Sequence, residues 1–242
     1  MRKAIHLSML LPVIIAFLSA CRYSPPSSPE KCSLLVDFNS KRERMFWKGM
    51  GAGGFWRIWD GYLLIHNKEK RRRAPWQGLT KTGVIFLRAF NSHHISVQVE
   101  GEVLKIIAPP SEDPGVEITL WAGSAQRIRP HSPPYDAGYS LVYTVNRIYL
   151  FGGAKKPLSQ LEQTAVGISS HSHRLRPHSK FTLRIRQNGN ILQGYLNGKL
   201  VVDAVDPYYG KRILSNYIGL GAGGVRVKFD NLRVEWEGGN GE

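Results

Sequence analysis

The sequence predicts an all-β protein, an antiparallel sandwich of two sheets, and three observations predict it. First, apolar and polar residues alternate with period two in many short runs. Phe181, Leu183 and Ile185 against Thr182, Arg184 and Arg186 is the clearest. That period sends successive side chains to opposite faces, so each run buries one face and wets the other. Second, the 25 Gly and 14 Pro recur throughout, as turns between short strands require. Third, no long helical pattern follows the N-terminal apolar run. Many short strands without helices close as a sandwich or a barrel, and a sandwich suits strands that bury one face each.

The N-terminus reads as a targeting segment. Arg2 and Lys3 precede a mostly apolar stretch from Ile5 to Leu18, broken by His6, Ser8 and Pro12. A spanning helix needs about 20 apolar residues, so this stretch reads as a secretory signal over residues 1–20. Leu18-Ser19-Ala20-Cys21 resembles the bacterial lipobox, which implies cleavage before Cys21 and lipid on that cysteine. Each buried methylene of such a lipid contributes about 0.8 kcal/mol to membrane residence. The expected location is the cell envelope. Arg22 stands where some bacterial lipoproteins carry an aspartate that retains them on the inner membrane, which tilts the expectation to the outer membrane. Residues 21–31 are rich in Pro and Ser and read as a hydrated tether. With Cys21 lipidated, no disulfide framework is expected, and Cys32 reads as a packed small residue.

One β-domain is expected over residues 32–238, with a flexible tail at 239–242. About 210 residues from Lys31 onward suffice for a full core. A first strand is expected at 34–38. A hairpin follows at 54–66, turning on Asp60-Gly61, a pair suited to positive φ at both positions. Residues 83–90 and 93–101 read as strands flanking a tight turn at Asn91-Ser92, with further strands at 102–108 and 115–123. After an irregular stretch, 124–137, strands resume at 138–146, 147–153 and 161–168. The last third reads as a meander, 181–187, 191–196 and 199–204, turning on the Asn-Gly-Asn at 188–190 and on Asn197-Gly198. Strands at 217–224 and 225–236 close the chain, the last with a bulge near Asp230-Asn231, where the alternation shifts.

The net charge of +15 comes from 33 Lys and Arg against 18 Asp and Glu. An exported basic protein meets lipid phosphate and acidic polysaccharide before it meets nucleic acid. The densest run, Lys68 to Arg73, lacks the aromatic platforms that nucleic-acid binding requires, so no nucleic-acid partner is expected. Lipid bilayer, through Cys21, and carbohydrate, acidic polysaccharide included, are the expected partners.

The segment from Phe181 to Pro207, followed by Tyr217 to Val234, resembles the closing strands of concanavalin A-like lectin and glucanase jelly rolls. The resemblance is nearest to the branch holding 3-keto-disaccharide hydrolase and laminin-G-like domains. Trp56 to Leu63 resembles the same group's early hairpin. The resemblance implies a jelly-roll sandwich and a carbohydrate-related role, and its motifs are turns and core positions rather than catalytic ones.

Candidate chemistry is sparse. A conventional glycosidase needs two carboxylates across the scissile bond. The acidic strand of the related glucanases has no counterpart here. Glu100 and Glu102 are separated by Gly101, which reads as a turn; Glu117 and Asp136 are the remaining catalytic candidates. His171 and His173, with His178 nearby, are spaced to share one face and chelate a divalent metal, although Arg174 and Arg176 oppose a cation. Asp203 and Asp206 offer too few oxygens for more than a partial calcium site. Sugar binding needs flat apolar platforms beside hydrogen-bonding groups. Trp47, Trp56, Trp59, Trp76, Trp121, Tyr135, Tyr139, Tyr208 and Tyr209 are the available rings, Trp56 and Trp236 reading as core. Trp76 and Tyr135 lie in Pro-bearing loops, and Arg127 and Arg129 suit acidic sugars. Three readings stand: a glycan-binding module, a hydrolase of 3-keto-disaccharides or another modified sugar, and a structural lipoprotein docking on anionic envelope polymers. The missing acidic strand counts against the enzyme.

Overall fold

The computed structural model describes residues 31–50, 54–67, 81–88, 90, 92–121, 138–153, 165–168, 174–205 and 217–238. They form fifteen strands in two antiparallel sheets, a concanavalin A-like jelly-roll sandwich. The strands are β1 (Lys31–Val36), β2 (Trp47–Met50), β3 (Gly54–Trp59), β4 (Tyr62–Asn67), β5 (Lys81–Phe86), β6 (His94–Ile106), β7 (Gly115–Trp121) and β8 (Gly138–Thr144). They continue as β9 (Ile148–Gly153), β10 (Ala165–Ile168), β11 (Lys180–Asn188), β12 (Ile191–Leu196), β13 (Lys199–Val205), β14 (Tyr217–Gly223) and β15 (Val225–Glu237). Short 3-10 helices occupy Lys41–Phe46 and Pro110–Glu112.

An eight-stranded sheet runs β13-β12-β11-β6-β15-β4-β3, with β1 also paired to β15. A seven-stranded sheet runs β10-β9-β8-β7-β14-β5-β2. The core lies between them. Phe181, Leu183 and Ile185 of β11 face Ile118, Leu120 and Leu141 of the opposite sheet within one buried cluster. Phe38, Trp47, Phe86, Phe90 and Trp236 form a chain of ring contacts at one end, with centroids 5.0–6.2 Å apart.

The tight turns fall where the sequence placed them. Asp60 (φ 54°) and Gly61 (φ 73°) join β3 to β4, and Asn197 (φ 50°) and Gly198 (φ 78°) join β12 to β13. Both pairs take the positive φ that a two-residue hairpin turn demands. The bulge in β15 is present too, its register with β6 shifting between Asp230 and Arg233.

Three local expectations are corrected. Gly101 is not a turn, because β6 runs unbroken through it and joins what the sequence suggested were two strands. Its missing side chain makes room for Phe181, whose ring lies against the glycine on the neighbouring strand. The strands at 83–90 and 93–101 are not a hairpin either. β5 belongs to the seven-stranded sheet and β6 to the eight-stranded one, so the connection crosses the sandwich. Trp47 and Tyr139, counted among available platforms, are buried in the core.

Replacing Gly101 by Ala is expected to lower stability by about 1–3 kcal/mol, since a methyl there displaces the Phe181 ring. Chemical denaturation would check it, and an unchanged midpoint would contradict the packing described.

Candidate functional site

The unbroken course of β6 has a chemical result. Glu100 and Glu102, two residues apart in a strand, project from the same outward face of the eight-stranded sheet. β15 lies on one side of them and β11 on the other. Register sets Thr182 and Asp230 against Glu100, and Lys180 and Lys228 against Glu102. Tyr62 begins β4 one position beyond the Leu63–Phe229 pair, and Trp59 of β3 pairs with Tyr62. Five adjacent strands therefore contribute one row of polar and aromatic side chains. At the usual strand spacing the row is about 19 Å long.

From β4 to β11 the row lines a groove of about 380 Å³, with Tyr62, Glu100, Glu102, Lys228, Asp230 and Asn197 among its walls. Lys228 Nζ lies 2.9 Å from Glu102 Oε2 and 4.6 Å from the centre of the Tyr62 ring. The pair perturbs both partners in the ordinary direction. The hydrogen bond from Lys228 holds the Glu102 carboxyl below its usual range, and Glu102 raises the ammonium. The two side chains keep 28% and 22% of their surface exposed and face an open groove, where water screens the pair, so it contributes modestly to stability. Asn231 Nδ2 donates to Glu100 Oε2 at 3.0 Å, and the Asn231 amide donates to Asp230 Oδ1 at 2.7 Å. Asp230 is pushed up, first by burial, then by the neighbouring charges of Glu100 and Asp37.

Next to the groove wall at Tyr62, β3 carries exposed aromatic surface. Trp59 is 61% exposed and Phe55 43%. Arg57 stands between them in sequence, its guanidinium 4.6 Å from the Trp59 ring centre. β3 is an edge strand, and its outward residues 55, 57 and 59 alternate with Trp56 and Ile58, which pack on the core. Trp59 is an available ring in the sequence, but only the register of this hairpin sets it apart from Trp56.

The outward face of the seven-stranded sheet has another character. Ile85 and Val142 are buried there but lie outside the core cluster. Glu117, Thr119 and Ser140 share that face, and Thr119 Oγ1 and Ser140 Oγ are 2.9 Å apart. Glu117 is 7% exposed and lies over Gly221, where a Cβ would fall 2.5 Å from its Oε1. The catalytic candidate Glu117 is thus placed away from Glu100, Glu102 and Asp230, on the opposite sheet. Asp136, Trp76, Arg127, Arg129, Tyr135, His171, His173 and Asp206 lie outside the described residues. Asp203 is exposed and its Oδ1 accepts a hydrogen bond from Gln193 Nε2 at 3.4 Å, while His178 donates its amide to Val103 O at 2.7 Å. Among the described residues, no three His, Cys, Asp or Glu side chains are grouped to hold a metal ion.

A two-sheet sandwich of this topology defines a class, the galectin-like and concanavalin A-like folds, and solved structures of that class are similar to this chain. A Bacillus subtilis protein of unknown function with a galectin-like fold superposes with a TM-score of 0.62 at 13% identity, covering 87% of this chain and 99% of its own. The VIP36 exoplasmic/lumenal domain, in its Ca2+/Man3GlcNAc-bound form, gives 0.57 at 12% identity over 87% of this chain and 90% of its own. The carbohydrate-binding module CBM66 of Bacillus subtilis gives 0.52 at 12% identity over 78% and 94%. At these identities the likeness is one of fold. No protein-family profile and no curated protein sequence matches the chain.

The raised Asp230 carboxyl has a stability consequence of fixed sign. Its folded pKa lies above the unfolded value near 3.8, so the folded state holds the proton more tightly. Stability contributed by that proton is present below about 3.8 and is lost as pH rises through the folded pKa. Asp230→Asn keeps an oxygen for the Asn231 amide and removes the charge. It should stabilise the protein at pH 7 and lose that advantage at pH 3, as thermal melts at the two pH values would show.

Proposed function

We propose that this chain is an exported glycan-binding module, held on the cell envelope by lipid at Cys21. The observation that carries the binding reading is the 61%-exposed Trp59, paired across the β3–β4 hairpin with Tyr62, a wall of the polar groove. A pyranose ring presents an apolar face that packs on indole and a rim of hydroxyls that needs donors and acceptors. Trp59 offers the first; Glu100, Asp230, Thr182, Lys180 and Asn197 offer the second. A row about five strands wide admits a short oligosaccharide chain. The Man3GlcNAc-bound VIP36 domain and the carbohydrate-binding module CBM66, both of similar fold, support the reading. The lipobox-like Leu18 to Cys21 and the tether after it support the envelope address.

The test is a glycan array of neutral, sulfated and uronic-acid polymers, probed with Cys21→Ser protein at low and high salt. Salt-resistant binding to one glycan class is expected, weakened at least about tenfold by Trp59→Ala. Binding to every anionic polymer that vanishes with salt would instead support the structural lipoprotein on a basic surface.

A hydrolytic reading has one observation in its favour. Asp230, with its raised carboxyl, neighbours Glu100 in the groove, and unequal carboxyl pairs can divide acid and base roles. Under that reading Asp230→Asn abolishes turnover of a 3-keto-glycoside while leaving binding intact. No turnover by the unaltered protein on any arrayed glycan or 3-keto-glycoside would remove it.

A further inference from the structure

A second exposed surface stands apart from the groove. Met45 is 70% exposed, Phe46 48% and Leu87 39%. Phe46 and Leu87 adjoin, since the Leu87 amide donates to Phe46 O at 2.7 Å, and Met45 precedes Phe46 at the end of the 3-10 helix. These side chains leave the core just where the ring chain Trp47–Phe86–Phe90–Trp236 reaches the end of the sandwich. Arg88, also exposed, extends over Phe90 and Trp236, its guanidinium 5.8 and 5.2 Å from their ring centres.

The same end is where the tether begins. Trp236 pairs with Cys32, and Glu237 with Lys31, the first residue of β1. Lys31, Arg184 and Arg186 line a neighbouring cleft of about 570 Å³ together with His94, Glu235 and Glu237. Exposed apolar side chains, arginines and the tether therefore share one end of the domain. Ten Cα-to-Cα steps lead from Cys21 to Lys31, with nine residues between them. Fully extended they reach about 35 Å, so an anchored Cys21 keeps this end close to the bilayer and raises its effective concentration there.

We propose that this end of the sandwich docks on an anionic lipid bilayer, Met45, Phe46 and Leu87 entering the interface while Lys31, Arg88 and Arg186 meet headgroup phosphates. Apolar insertion and attraction to anionic lipid are the two contributions to interfacial binding, and this end supplies both. The proposal rests on the anchored reading for delivery to the membrane, and on these side chains for the docking itself.

The experiment is co-sedimentation of Cys21→Ser protein with vesicles of phosphatidylcholine, with and without phosphatidylglycerol. Binding to the anionic vesicles is expected. It should fall at least about tenfold when Met45, Phe46 and Leu87 are all replaced by Gln, with glycan binding retained. Hydrogen exchange of the unaltered surface should slow at 44–46 and 87–88 on vesicles, a measurement independent of the variant. Trp59→Ala should sediment like its parent. Absence of vesicle binding would overturn the proposal, as would binding indifferent to the triple replacement with no slowed exchange. A lipid-independent dimer dispersed by the triple replacement would overturn it in favour of a second copy. Incorporation of labelled fatty acid into the native chain but not the Cys21→Ser chain tests the anchor separately. Incorporation without vesicle binding would sink the docking alone, and vesicle binding without incorporation would support the docking and sink the anchor.

Discussion

One strand with two successive partners organises the molecule. β15 pairs with β6 along almost its whole length, while on its other side β4 covers Arg226 to Phe229 and β1 covers Leu232 to Glu237. Two strands cannot abut along a third without a seam, and the seam falls at Asp230-Asn231. Asn231 takes φ 48°, a left-handed conformation that asparagine tolerates better than most residues. Its amide and side chain then satisfy Asp230 and Glu100. The bulge thus turns a break in pairing into a polar patch at the centre of a sheet, and the groove lies over it.

That patch runs against the charge of the whole. The chain carries +15, yet Glu100, Glu102 and Asp230 meet within one groove, where Lys180 and Lys228 are the cations among its described walls. Glu102 is engaged by Lys228, which leaves Glu100 and Asp230 with neutral donors from Asn231. Long-range attraction of anions and the short-range recognition proposed for the groove are therefore separate properties. Salt screens the first far more than the second, which is why salt dependence discriminates between the functional readings.

Much of the fold is legible in the alternation of single strands, because period two declares which face is buried. The meander from β11 to β13 and the turns at Asp60-Gly61 and Asn197-Gly198 follow from it directly. Alternation does not say which strand lies beside which. The short link between β5 and β6 looks like a hairpin, but the two strands enter different sheets. Gly101 looks like a turn because its reason for being glycine, the Phe181 ring, comes from a strand eighty residues later in the chain. That one misreading separates Glu100 from Glu102 and hides the groove. Trp59 is similarly obscured: it and Trp56 sit three apart on one short strand, and opposite facing alone makes one a platform and the other core.

The end-to-end placement of β4 and β1 along β15 also sets how the domain bears load. A pull on Lys31, resisted by a ligand held at the β3–β4 hairpin, runs lengthwise down β15. β1 is then strained parallel to its own axis, in shear, and its ladder from Lys31–Glu237 to Val36–Leu232 resists as a unit. Drawn sideways, the same ladder would unzip, its hydrogen bonds breaking singly in succession. Under the proposed anchoring, a binding surface and a tether attached in line along one strand make a mechanically stiff coupling between whatever is held and whatever holds it.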